Sequence, residues 1–141
     1  MERNILTTDQ EKWLQALESG EYSQTTNTLV RENNEKLSYC CLGVACLING
    51  LKAVDRISDY VGKEKVFEDS SGNMWCTGLP TALRYSLQLH SKNRSGVLSP
   101  IQMNDIYKMS FKEIAERIRK QPWNYFTNFD KPEEVKEENN G

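Results

Sequence analysis

The four cysteines are the first residues in this chain that could do chemistry. Cys40 and Cys41 are adjacent, Cys46 follows in the same apolar run, and Cys76 comes much later. A nucleophilic thiol requires a base, and the one imidazole, His90, lies in a polar stretch predicted as a loop. Cys41 and Cys46 have the C-x₄-C spacing of one zinc-ligand pair, but a zinc site needs a second pair or histidines, and only the distant Cys76 and His90 follow, so the metal signal is weak. Because free cysteine behaves as a small hydrophobic residue, the pattern favours core packing, with no metal and no cofactor.

Charge is distributed unevenly along the chain. The 18 basic and 20 acidic side chains leave a net charge of −2, which argues against a nucleic-acid-binding protein. Residues 84–120, however, carry eight basic and three acidic side chains, a net charge of +5. Such a segment can face an anionic ligand or an acidic partner, and Arg84 and Arg94 are its predicted ligand-binding residues. The alternative, which we favour, is that its later cations form the solvated face of one helix.

Length and composition predict one globular domain with an acidic tail. The 141 residues are 38% apolar and 27% charged, which is too apolar for a disordered chain. No apolar run is long enough for a transmembrane helix, and the first residues lack the apolar stretch of a signal peptide. We therefore expect no membrane association, a cytoplasmic location and free thiols. Residues 1–129 are the predicted domain, and residues 130–141 a disordered tail.

Helix signals recur along the chain. Thr8 to Glu11 fits a capping box, which predicts a first helix over about residues 9–18. A second helix is expected to have Pro80 in its first turn, with Ala82, Leu83, Leu87 and Tyr85 as its candidate apolar residues. A third is expected over about residues 100–107. A capping box at Ser110 opens the clearest amphipathic helix, with Phe111, Ile114, Ala115 and Ile118 on one face and Pro122 at its end.

The remaining segments predict a small sheet and leave one ambiguity. A short strand near Val30 is followed by a turn over residues 33–36, and residues 65–68 and 74–76 fit a hairpin. The apolar run over residues 39–50 fits either a helix or a buried strand. Its Asn-Gly end favours a buried helix, in which Gly43 marks the close approach of another backbone. Together these elements predict an α+β domain of four or five helices with a small antiparallel sheet.

Several motifs occur together in this chain: Trp13-x-x-Ala-Leu-x-Ser-Gly-x-Tyr-x-Gln24, Tyr39-Cys-Cys-Leu-Gly-Val44, Leu79-Pro80, Leu98-x-x-x-x-Met-Asn-Asp105 and Ser110-Phe-x-x-Ile-Ala-x-x-Ile118. In this combination the chain resembles a family of small uncharacterised phage and prophage proteins. The resemblance spans about residues 13–118. It departs at Leu47, where relatives tend to carry an acidic residue, and at Met103, where leucine is usual. What it implies is a phage-type origin and a coherent fold, not a particular chemistry.

Four matching positions carry side chains suited to recognition: Tyr22, Gln24, Asn104 and Asp105. Asp105 suits a ribose or an amine, and the two amides suit another amide or a base edge. Tyr22, Tyr39 and Trp13 are predicted to add a stacking wall. The alternative, which we favour, is that the amides bond the backbone of irregular segments and Asp105 caps a turn. A hydrolase has little support, because general acid/base chemistry requires two carboxylates and Asp105 alone stands out.

Three functional hypotheses follow, in this order. The first is a non-enzymatic accessory protein of phage type that binds or sequesters a small anionic metabolite or signalling nucleotide, with counter-defence as its role. The second is an inhibitor or adaptor of a host protein, acting through the acidic tail. The third is a cysteine-dependent enzyme that uses Cys40 or Cys41 with His90. The sequence leaves open whether the chain forms a homo-oligomer.

Overall fold

A computed structural model describes residues 3–92 and 95–132 of the chain. Within these residues five α-helices and six strands form one α+β domain, as predicted. The helices are α1 Thr8–Glu18, α2 Cys41–Ile48, α3 Thr81–Leu87, α4 Pro100–Asp105 and α5 Phe111–Lys120. The strands are β1 Ser23–Gln24, β2 Val30–Asn33, β3 Lys36–Tyr39, β4 Lys52–Ser58, β5 Gly62–Glu68 and β6 Met74–Trp75. A short 3₁₀ turn, Pro122–Asn124, follows α5.

The first helix begins one residue earlier than predicted, and its cap is Thr7. The Thr7 hydroxyl accepts a hydrogen bond from the Gln10 backbone N–H, and the Gln10 side chain accepts one from the Thr7 N–H. The predicted capping box at Thr8 was therefore wrong by one position. Both registers fit the sequence pattern, and tertiary contacts select one, because buried Gln10 also donates to Asn128 Oδ1 and to the Leu87 carbonyl.

The first sheet has the strand order β1-β3-β2. Strands β2 and β3 form an antiparallel hairpin whose turn residues, Asn34 and Glu35, both have positive φ, which is the geometry of a tight two-residue turn. The predicted turn over residues 33–36 is thus confirmed. Strand β1 pairs parallel to β3 and brings Gln24 opposite Tyr39. This pairing carries the end of β1 to the start of α2.

The apolar run over residues 39–50, which fitted either a helix or a strand, forms the last residue of β3 and then the buried helix α2. Tyr39 ends β3, and residues 41–46 of α2 are all buried. Gly43 faces the backbone of Leu29 so closely that a Cβ built on it would lie 1.8 Å from the Leu29 carbonyl oxygen. The predicted buried helix and the predicted close approach at Gly43 are both confirmed.

The second sheet has the order β4-β5-β6 and is antiparallel throughout. The predicted hairpin of β5 and β6 is confirmed, but the longer hairpin of β4 and β5 was missed. Its tip exposes Ile57, Tyr60 and Val61. Strand β4 has the sequence Lys-Ala-Val-Asp-Arg-Ile-Ser, in which apolar and charged residues do not alternate regularly, and all its residues are exposed or half-buried. Its apolar content alone was therefore a weak signal.

The helices enclose the core. Phe111, Ile114, Ala115 and Ile118 of α5 are buried as predicted, and α5 packs against α1, whose Trp13 is also buried. In α3, Leu83 and Leu87 are buried, whereas Ala82 and Tyr85 are exposed and thus do not supply its apolar side. Pro80 is the residue before the first turn of α3 rather than within it.

The two ends of the described chain meet at Asp130. Its carboxylate pairs with Arg3, 2.8 Å away, and its backbone N–H donates to Asn4 Oδ1. Of the predicted tail, residues 133–141 lie outside the described residues. Among the helices of the described ranges, each is too short or too polar to cross a membrane.

Candidate functional site

The predicted recognition residues Gln24 and Asn104 meet in one hydrogen-bond network. Asn104, on α4, is completely buried. Its Oδ1 accepts from Gln24 Nε2 at 2.9 Å and from the Cys41 backbone N–H at 3.1 Å, and its Nδ2 donates to the Thr25 carbonyl at 2.8 Å. Gln24 also donates to the Met109 carbonyl. The network ties β1, α2, α4 and the segment before α5 together.

The aromatic and acidic candidates surround this network. Asp105 Oδ1 accepts from Asn104 Nδ2 at 2.8 Å. Tyr22 packs edge-on against Tyr39, and Tyr39 stacks on Phe67, with ring centroids 6.1 Å apart in both pairs. Burial raises the pKa of Tyr39, and repulsion from the phenolate form of Tyr22 acts in the same direction.

These contacts match the structural interpretation of the motif residues. The amides of Gln24 and Asn104 satisfy backbone groups of irregular segments, which is the alternative that the sequence favoured. Asn104 accepts from the buried N–H of Cys41, the first residue of α2, a group that the helix itself cannot satisfy. A role in ligand binding for Tyr22, Gln24, Tyr39, Asn104 and Asp105 stays a prediction.

The thiols of α2 are core groups, as the sequence favoured. Cys40 Sγ accepts from the Gly43 N–H at 3.3 Å and thus caps α2, and Cys41 Sγ donates to the Pro100 carbonyl. Burial raises the pKa of Cys40 to about 11 and of Cys46 to about 12, and it raises the pKa of Cys41 well above its ordinary value. Thiols held in this way form little thiolate at neutral pH, which opposes a role as nucleophiles.

Native alkylation is expected to label Cys76 alone. Cys76 is half-exposed, whereas the other three thiols are buried, and their raised pKa values keep them protonated at pH 8. Intact-mass analysis after iodoacetamide treatment should show one adduct on the native protein and four in 6 M guanidinium chloride. Rapid native labelling of Cys40 or Cys41 would contradict this assignment and revive the cysteine-dependent enzyme.

Arg84 lies apart from the hydrogen-bond network of Gln24 and Asn104, and it lines a cavity elsewhere in the domain. It projects from the last turn of α3, and its Nη1 donates to the His90 carbonyl at 3.1 Å. His90 Nε2 lies 3.1 Å from the Trp123 carbonyl, so Nε2 carries the ring hydrogen. Within the described ranges Arg84 has no carboxylate partner. Arg119 of α5, by contrast, has two carboxylate partners, Glu11 and Glu18 of α1.

The cavity combines an apolar wall with a cationic rim. It encloses about 200 Å³. Three basic side chains line it, Arg84, His90 and Lys92, together with the hydroxyl residues Ser91 and Ser99. The remaining lining is mostly apolar: Leu42, Leu89, Val97, Leu98, Pro100, Ile101 and Tyr125, with Asn124. None of these described lining residues is acidic, so an anion would meet cationic and hydroxyl groups without facing a carboxylate.

A larger groove between the two sheets lacks this charge imbalance. It encloses about 530 Å³ beside β2 and β5. Its three basic side chains, Arg31, Lys63 and Lys65, are balanced by three acidic ones, Glu32, Asp55 and Glu64. Lys65, for example, lies 2.8 Å from Asp55 and 3.6 Å from Glu32. Arg31 is held by the Thr25 hydroxyl and the Thr26 carbonyl. Volume alone therefore does not select this groove as an anion site.

Sequence reasoning found only part of the cavity. Arg84 was predicted from the basic segment, and Arg94 lies outside the described residues. His90 was considered only as a partner for cysteine, and Lys92, Ser91 and Ser99 were not singled out. The signal that was available is the basic character of residues 84–120. Of its described cations, Arg84 and Lys92 line this cavity, Lys108 lies between α4 and α5, and the others are on α5. Among the described residues, no group of three His, Cys, Asp or Glu side chains is placed to hold a metal ion.

Comparison with known families gives one match. The model of a domain of unknown function, DUF8296, matches residues 5–122. The chain belongs to the DUF8296 family. No curated protein and no solved structure matches it. The DUF8296 match covers all five helices and both sheets but states neither a source nor an activity, so the resemblance to phage proteins stays a prediction.

Proposed function

We propose that this protein binds a small anionic ligand in the cavity beside Arg84, and that its biological role is to sequester such a ligand in phage counter-defence. The observation that carries the binding proposal is a half-buried arginine with no carboxylate partner in the described chain, at the mouth of a cavity whose described lining includes no acid. An arginine in this setting has donors available for a phosphate or carboxylate. The counter-defence role is supported by the motif resemblance alone.

Each group of cavity residues makes a different contribution to the binding of an anion. The Nη1 bond to the His90 carbonyl fixes the guanidinium, so less side-chain entropy is lost when a ligand binds. Lys92 is exposed at the rim and adds a second positive charge, and Ser91 and Ser99 add hydroxyls. The apolar wall excludes water from the ligand, which strengthens the charge interactions.

Arg84→Gln is expected to weaken anion binding by about 10- to 100-fold, because it removes charge-assisted hydrogen bonds worth about 1.5–3 kcal/mol. The measurement is isothermal titration calorimetry with inorganic phosphate, nucleoside monophosphates, cyclic nucleotides and ADP-ribose. Thermal shift gives a second readout, with a rise of about 9 °C expected at a ligand concentration 100-fold above Kd.

Arg31→Gln is the matched control. It makes the same change of side chain at another arginine without a carboxylate partner in the described chain, beside the larger groove. Its affinity for the same anions should equal that of the wild type. Arg84→Lys keeps the positive charge and should recover part of the affinity. If the wild type binds none of these anions, or if the Arg31 variant loses binding and the Arg84 variant does not, the proposal fails.

A further inference from the structure

A second depression adjoins the cavity at Arg84. Arg84, Leu89 and Ser91 line both spaces. The rest of the depression is formed by Thr81, Tyr85, Gln88 and Thr127, and it encloses about 440 Å³. Arg84 is the only charged residue in its described lining. The guanidinium therefore lies where two adjoining spaces meet, one of them more enclosed than the other.

The volumes indicate a ligand that occupies both spaces. Sites for drug-sized ligands enclose about 300–1,000 Å³, and the cavity alone, at about 200 Å³, falls below that range. Together with the depression it lies within the range. The apolar wall of the cavity, with Leu42, Leu89 and Val97, suits a ring or a sugar better than a bare phosphate. The anionic group of the ligand is then best placed at the junction, beside Arg84.

Tyr85 gives the depression an aromatic surface. It follows Arg84 on α3, and 76% of its surface is exposed. Neighbouring Gln88 is held in a left-handed conformation at the end of α3, and its carbonyl accepts from the Thr127 N–H at 2.7 Å. This hydrogen bond holds the floor of the depression in place. An exposed aromatic ring beside a fixed polar floor suits the stacking of a nucleobase. The Gln88 amide and the Thr127 hydroxyl are available for the polar edge of that nucleobase.

We propose that the ligand is of dinucleotide type, with phosphate between two nucleoside ends. The phosphate lies at Arg84, one nucleoside enters the cavity, and the base of the other stacks on Tyr85. This inference rests on the proposed function and adds the class of the ligand to it. It accounts for three observations together: a cation between two spaces, an apolar inner space and an exposed aromatic residue in the outer one.

The test is calorimetry with four probes: inorganic phosphate, AMP, ADP-ribose and the linear diadenylate pApA. The diadenylate should bind at least about 10-fold more tightly than AMP, because a second stacked base adds about that factor. Tyr85→Ala should remove this gain and leave phosphate binding unchanged. Tyr85→Phe should retain it, because stacking requires only the ring. Tyr60→Ala, at a tyrosine that is 97% exposed on the β4–β5 hairpin, is the matched control and should change nothing.

The outcomes separate this inference from the proposed function. If AMP binds as tightly as the diadenylate, or if Tyr85→Ala leaves diadenylate affinity unchanged, the dinucleotide assignment is overturned. Arg84-dependent binding of phosphate or AMP would still support the anion site. If none of the four probes binds the wild type, both proposals fall together.

Discussion

Gly43→Ala is expected to destabilise the protein by about 4 kcal/mol or more, which is severe for a domain whose total stability is about 5–15 kcal/mol. The added Cβ would lie 1.8 Å from the Leu29 carbonyl oxygen and 2.8 Å from its carbon. Neither partner can move cheaply. Gly43 lies within the buried helix α2. The backbone of Leu29 is held by two hydrogen bonds: its N–H donates to the Cys76 carbonyl, and its carbonyl accepts from the Cys40 N–H.

Chemical denaturation followed by circular dichroism measures this effect, with a fall in the melting temperature of more than about 10 °C as a second readout. Gly78→Ala is the matched control. No atom lies within 4 Å of a Cβ built at Gly78, and its φ is not in the left-handed region. That variant should stay within about 1 kcal/mol of the wild type. A Gly43→Ala protein as stable as the Gly78 variant would show that the approach of α2 to Leu29 is wrong.

Asn104→Ala is expected to cost about 2–4 kcal/mol of the free energy of unfolding. The substitution leaves the Cys41 N–H and the Thr25 carbonyl without a side-chain partner, and it frees one bond of Gln24. A buried polar group that loses its partner costs about 1–3 kcal/mol. The Cys41 N–H carries most of the cost because Cys41 is completely buried, whereas water can reach the half-buried Thr25 carbonyl.

The control for this variant is Asn49→Ala, at an exposed asparagine just after α2 whose side chain makes one hydrogen bond within the described residues, from Nδ2 to the Ala45 carbonyl. It should cost no more than about 1.5 kcal/mol. The Asn104→Ala variant also tests the location of the ligand site. If the variant is still folded, its affinity for anions at the Arg84 cavity should equal that of the wild type. Loss of anion binding with retained stability would return Asn104 to the ligand site, as the sequence prediction had it.

Local signals were enough to predict several elements. The capping box at Ser110 and the apolar spacing of Phe111, Ile114, Ala115 and Ile118 predicted α5 correctly, because cap and periodicity are both local properties. Gly43 was predicted to lie against another backbone. The β4–β5 hairpin was missed because its strands carry many charged residues in no regular alternation with apolar ones, and every residue of β4 is exposed or half-buried. Such a sequence lacks the alternating apolar pattern that marks a strand.

The candidate site was less accessible to sequence analysis. The matching motifs drew attention to Gln24 and Asn104, and these residues turn out to join β1, α2 and α4 by hydrogen bonds. Sequence analysis recognises an amide but not its partner, which here lies about 80 positions away, as in the bond between Gln24 and Asn104. The cavity at Arg84 is likewise formed by residues of α2, α3, α4 and the 3₁₀ turn, which no local pattern connects.

By itself, then, the amino-acid order determined the α+β class, the cap of α5 at Ser110 and the apolar character of the cysteine segment, since each depends on neighbours within a few positions. Only the tertiary structure decided which polar groups are consumed inside the protein and which remain available to a ligand. The physical reason is that a hydrogen bond or a missing counter-charge is set by distance in space. Asn104 is satisfied and Arg84 lacks an acidic partner in the described chain because of what the fold places beside each of them.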